Sequence, residues 1–147
     1  QLLGDGSGFS GPVDLAAGTL RLASAAALPA TTRLTLSGGS LLQIDATSQL
    51  GKLAGSGQVA LGGGAELTLG DASDASFGGS FSGAGRLAKQ GSGTLTLAGA
   101  SSHGGGTRVL QGRLQISRDD QLGATSGAVT LDGGTLNLRH DGDQIAR

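Results

Sequence analysis

Few residues in this chain have the chemistry for catalysis. His103 and His140 are the only side chains suited to act as a general base near neutral pH, and there is no cysteine. A hydrolase-type serine would sit in Gly-x-Ser-x-Gly, which does not occur. The run Gly6-Ser7-Gly8-Phe9-Ser10-Gly11 satisfies Gly-x-Gly-x-x-Gly. In a dinucleotide fold that pattern leaves a strand and opens a helix, but no helical pattern follows, so these glycines read as corners of the chain. Asp71 with Asp74, and Asp141 with Asp143 beside His140, offer oxygen ligands in numbers too small for Ca²⁺. Cleaving a polysaccharide takes two carboxylates at a set separation, whereas the 11 acids here are scattered and lack Trp or Tyr platforms. The expectation is therefore a protein that is not an enzyme, with no catalytic, cofactor-binding or metal-ligating residue and no cofactor. His103 and His140 are expected to be exposed loop residues, and the aspartates solvated loop carboxylates.

Composition narrows the elements that could carry any site. The 147 residues include 30 Gly, 3 Phe and 2 Pro, with no Trp, Tyr, Cys or Met. No Gly-X-Y period exists, which excludes collagen. At 37% hydrophobic and 14% charged, the chain is too apolar and too weakly charged for disorder, and its core must be aliphatic. A net charge of −1, with basic residues spread along the chain, gives no footprint for nucleic acid. The longest apolar stretch, Ala25 to Ala30, is too short to span a bilayer. Without Met or a leader, the chain reads as a fragment of a larger protein.

Repeats set the architecture. Leu34-Thr35-Leu36, Leu67-Thr68-Leu69, Leu95-Thr96-Leu97 and Val129-Thr130-Leu131 are period-2 strands with aliphatics on one side and Thr on the other. Gly-opened strands sit beside them, among them Gly18-Thr19-Leu20, Gly39-Ser40-Leu41, Gly85-Arg86-Leu87 and Gly112-Arg113-Leu114. Gly11 to Leu41 aligns with Gly106 to Leu136, which predicts the same structural unit twice, with the indel (residues 23–33 against 117–128) in an exposed loop. Asn-Gly is missing and only one Asp-Gly is followed by a strand, Asp132-Gly133-Gly134, so a coil is favoured over a sandwich of hairpins. The expected fold class is all-β, a right-handed single-stranded parallel β-helix of roughly six or seven turns at about 20 residues each. Alternation places Leu34, Leu36, Leu67, Leu69, Leu95, Leu97, Val129 and Leu131 inward in stacked rows, with the four threonines outward.

The order of motifs adds a resemblance. Ser76 to Gly99, through Gly83-Ala84-Gly85-Arg86-Leu87-Ala88-Lys89-Gln90-Gly91-Ser92-Gly93-Thr94-Leu95-Thr96-Leu97, resembles the passenger-associated repeat of autotransporters. Ser101 to Thr107, then Val109 to Leu114 and Leu122-Gly123, complete the motif, with His103 where the family usually has an aromatic. Residues 1–147 then form one β-helix segment of a larger passenger, 76–138 matching best and 1–75 being less regular. The resemblance implies a non-catalytic stalk or autochaperone segment that supports folding and secretion across the outer membrane, or alternatively an adhesin-type binding module. The third option is a polysaccharide-active β-helix. Implied partners are the neighbouring rungs, a downstream outer-membrane β-barrel translocator, and a host surface protein or another cell. The implied location is the surface or exterior of a Gram-negative bacterium, reached through the periplasm.

Overall fold

A computed structural model describes residues 11–25 and 27–139. Short period-2 segments cannot bury their apolar side alone, and here each does so by stacking in parallel on its equivalents one turn away. Face 1 holds seven strands: β1 (Val13–Leu15), β3 (Arg33–Leu36), β6 (Lys52–Gly55), β9 (Ala75–Phe77), β12 (Thr94–Leu97), β14 (Arg113–Ile116) and β16 (Thr135–Leu138). Face 2 holds β2 (Gly18–Leu22), β4 (Ser40–Ile44), β7 (Gln58–Leu61) and β10 (Ser80–Gly83). Face 3 holds β5 (Ser48–Leu50), β8 (Glu66–Leu69), β11 (Arg86–Lys89), β13 (Thr107–Val109) and β15 (Val129–Leu131). The chain visits faces 1, 2 and 3 in turn, giving a β-solenoid of about six turns.

The core is a set of aliphatic columns. Leu34 stacks on Leu53, and Leu95 on Leu114, along face 1. Leu42 stacks on Val59 and Val59 on Phe81 along face 2. All of these are buried. At about 25 cal/mol per Å² of apolar surface removed from water, each such Leu contributes roughly 1.5–3 kcal/mol, so stability is distributed over the columns. Thr35 and Thr130 are exposed and Thr68 and Thr96 half-buried, as alternation requires.

Three expectations need correction. The four aliphatic triplets divide between two faces: Leu34–Leu36 and Leu95–Leu97 lie on face 1, Leu67–Leu69 and Val129–Leu131 on face 3. The aligned unit likewise pairs a corner between faces 1 and 2 (Ser37–Gly39) with one between faces 3 and 1 (Asp132–Gly134). Every face uses the same strand-Gly-strand grammar, so a local match does not specify which face is meant. Second, Leu131 is 53% exposed and Val129 only partly buried, because β15 ends its sheet and has a neighbour on one side only. Third, the irregular stretches are not merely exposed loops. Residues 23–25 and 27–32 stand where a face 3 strand is missing, and Ala27, Leu28 and Thr32 among them are buried. In 117–128 a single 3-10 turn, Asp119–Leu122, buries Gln121 and Leu122.

Corners are made by backbone on backbone. At Gly79 an added Cβ would lie 1.7 Å from the carbonyl oxygen of Gly57, so this corner stacks on the one below only without a side chain.

Candidate functional site

Beyond β10, face 2 has no further strand, and a buried polar cluster fills its place. Residues 101–104 continue along β10 through Ser102 N to Phe81 O (2.7 Å) and Gly104 N to Gly83 O (2.9 Å). The next turn supplies the 3-10 segment, with Ser101 N donating to Asp120 O (2.8 Å) and Ala124 N to His103 O (3.0 Å). The residues expected as an exposed histidine and a loop thus form a wall of the solenoid. His103 is fully buried, its ring edge-on to Phe81 at 5.9 Å between centroids. Phe81 in turn packs on Phe77 at 5.2 Å. The imidazole therefore fills the aromatic's place in the motif, and the expectation of exposure fails because the chain turns inward at the end of face 2.

His103 also carries polar contacts an aromatic hydrocarbon could not. Its Nε2 lies 2.9 Å from Thr107 Oγ1, which donates its single proton to the Leu122 carbonyl at 3.0 Å. With that proton committed, Nε2–H is the donor of the pair. Thr107, also fully buried, ties β13 to the 3-10 segment. Gln121 closes the other end: its Oε1 accepts Ser117 N (2.8 Å) and Arg118 N (3.3 Å), and its Nε2 donates to Ala98 O (3.2 Å). Gly123 touches this cluster with φ +96, and a Cβ there would lie 2.7 Å from His103 Cε1. These contacts hold two loops on the rod, and they leave the imidazole no route to a substrate.

Lys89 is the one charged side chain among the buried polar ones of the described residues, 2% exposed, on the inward side of β11. Period 2 from Leu87 already directs it inward. Burial pushes its ammonium below the ordinary lysine value, while the charges of Asp71 and Asp74 pull it back up.

The aspartates serve turns and ion pairs. Asp71 Oδ1 accepts Ser73 N at 2.7 Å and the Ser73 hydroxyl, and its other oxygen is 3.7 Å from Arg33. Its pKa is lowered chiefly by the Ser73 hydroxyl bond, against the opposing effect of burial. Asp74 Oδ1 accepts Thr94 N at 2.8 Å. Asp45 is held low by its hydrogen bonds from Arg21 and then Gln43. Among the described residues no three His, Cys, Asp or Glu side chains come together as a metal site. His140, Asp141 and Asp143, and Gly6 to Ser10, lie outside the described residues.

The outer surface at the corner between faces 2 and 3 carries a groove lined by Thr47, Gly64, Glu66, Gly85, Arg86 and Gly105 among others. Glu66 and Arg86 face each other across adjacent turns at 3.9 Å. The groove is polar and small-residue-walled, without aromatic platforms.

Residues 87–116, from β11 through β14, match the passenger-associated transport repeat family. This chain carries an autotransporter passenger repeat. The repeat holds Lys89, His103 and Thr107, while Gln121 and Gly123, which complete the cluster, follow it in the next turn. Over 43 residues, 29% of this chain, the sequence is 49% identical to the protein named Adhesin BmaC autotransporter of Brucella suis biovar 1 (strain 1330). The matched stretch is 1% of that relative's length. No solved structure matches the chain.

Proposed function

We propose that the chain is a stalk segment of an autotransporter passenger, a non-catalytic rod that supports folding and secretion across the outer membrane of a Gram-negative bacterium and holds surface functions away from the cell. The observation that carries this reading is the position of the repeat: residues 87–116 occupy consecutive turns of the stack, paired to their neighbours on faces 1 and 3. A solenoid adds stability turn by turn, so a formed block offers the next turn a ready edge. In an autochaperone role, the rung edges on β15 and β16 would receive neighbouring passenger turns, with a β-barrel translocator as the downstream partner. The non-catalytic part is supported by four carboxylates being engaged: Asp45 with Arg21, Glu66 with Arg86 and Arg108, Asp71 with Ser73, Asp74 with Thr94.

The test is removal of residues 87–116 from the passenger in its native host, with surface display read by protease accessibility on intact cells. Loss of display of the linked passenger is the expected result. Normal display with loss only of cell or host-protein binding would instead support the second reading, an adhesin-type binding module, which the name of the Brucella relative, an adhesin, favours.

A further inference from the structure

On face 3 one inward column runs Leu50, Leu69, Lys89, Val109, so a lysine occupies a place that neighbouring turns give to aliphatics. Its Nζ reaches the corner between faces 3 and 1, where it donates to the carbonyls of Gln90, Gly91 (2.9 Å) and Gln111 (3.5 Å). Two acceptors belong to the corner after β11 and the third to the corner one turn on. Among the described residues no carboxylate forms an ion pair with Lys89, and Asp71 and Asp74 act on it only at longer range. Two glycines complete the enclosure. A Cβ at Gly70, one turn below, would lie 3.1 Å from Nζ, and one at Gly112, one turn above, 3.0 Å.

An ammonium has three N–H donors and no acceptor, and three carbonyl oxygens converge on it here. Hydrogen bonds to a charged donor are the stronger class, and a buried carbonyl left without a donor is costly. An enclosure of carbonyls and bare Cα atoms thus has the size and polarity for –NH₃⁺, and it excludes a second side chain.

We propose that this corner is a carbonyl cage for an ammonium-type cation, filled in the native chain by Lys89 itself and able to accept a small primary ammonium ion from solution when that side chain is cut back. The cation ties one turn to the next at a corner, where strand pairing is interrupted. The proposal concerns the chain's own interior and does not depend on the passenger reading.

Chemical rescue tests it on the full chain. Lys89→Ala removes a propylammonium's worth of atoms, so its urea unfolding is followed by circular dichroism in propylammonium chloride and in tetramethylammonium chloride, which has no N–H donor. Each is read relative to the wild-type chain in the same salt. The expected result is a rise of the Lys89→Ala folding constant in propylammonium alone, about elevenfold at ten times its Kd. If Lys89→Ala is unfolded without additive, the readout becomes recovery of the β signal. Lys89→Met fills the same volume without charge, and it should be less stable than wild type and respond equally to both salts. An equal response of Lys89→Ala to the two salts, absence of recovery, or a Lys89→Met chain as stable as wild type would each overturn the cage.

Discussion

Arg108 reaches back across two turns of the solenoid to Glu66, Nη1 to Oε2 3.5 Å, and forward to Asp132 at 3.3 Å. Ala88 lies between Thr68 and Arg108 in register on the outer side of face 3, yet it is fully buried. A methyl there leaves room for the guanidinium to cross over it. Both partners remain partly exposed, so the pair is worth about 0.2–1 kcal/mol. A double-mutant cycle on Glu66→Gln and Arg108→Gln should give a coupling in that range, shrinking in about 1 M salt as screening shortens the field. A coupling well above it would mean that the pair is shielded from solvent.

Burial separates leucines that look alike in the sequence. Leu97 is 2% exposed in the middle of face 1, whereas Leu131 is 53% exposed at the end of face 3. Leu97→Ala should cost about 2–5 kcal/mol by leaving a cavity, and Leu131→Ala at most about 0.5 kcal/mol. Urea unfolding of the two variants checks the contrast, and equal losses would contradict it.

Glycines divide in the same way. Gly79→Ala drives a methyl into the Gly57 carbonyl oxygen, while nothing lies within 4 Å of a Cβ at Gly104. Gly79→Ala should abolish the cooperative unfolding transition, and Gly104→Ala should leave its midpoint near that of the parent, within about 0.5 kcal/mol.

Asp71 gives the fold an acid dependence. Its folded pKa is depressed, so its contribution to stability is fully present above the ordinary value of 3.8 and is lost as pH falls through the lower folded value. Ser73→Ala removes the largest cause and should move the carboxyl back up toward 3.8, as read by NMR titration. An unchanged titration would shift the credit to the Ser73 backbone N–H, which the substitution keeps, and then to Arg33 and Lys52.

The sequence by itself determined the elements. Period-2 alternation in Leu34-Thr35-Leu36 or Leu95-Thr96-Leu97 fixes which side chains face inward, and corner glycines between short strands call for a coil. The motif order from Ser76 to Gly123 also carried the passenger-repeat resemblance, because it is a property of linear spacing. Only the tertiary structure decided which face each strand joins: Leu34–Leu36 and Leu67–Leu69 share a pattern but not a sheet. Alternation encodes inside against outside and holds no information on the neighbour one turn away, which stacking alone selects. The same holds for the polar interior. Lys89 is inward by alternation, but its carbonyl partners come from Gln90, Gly91 and the Gln111 of a later turn. His103 reads as a loop residue until face 2 runs out of strands and the chain folds in to close the stack, since buried space left by a missing strand must be filled and its backbone groups paired.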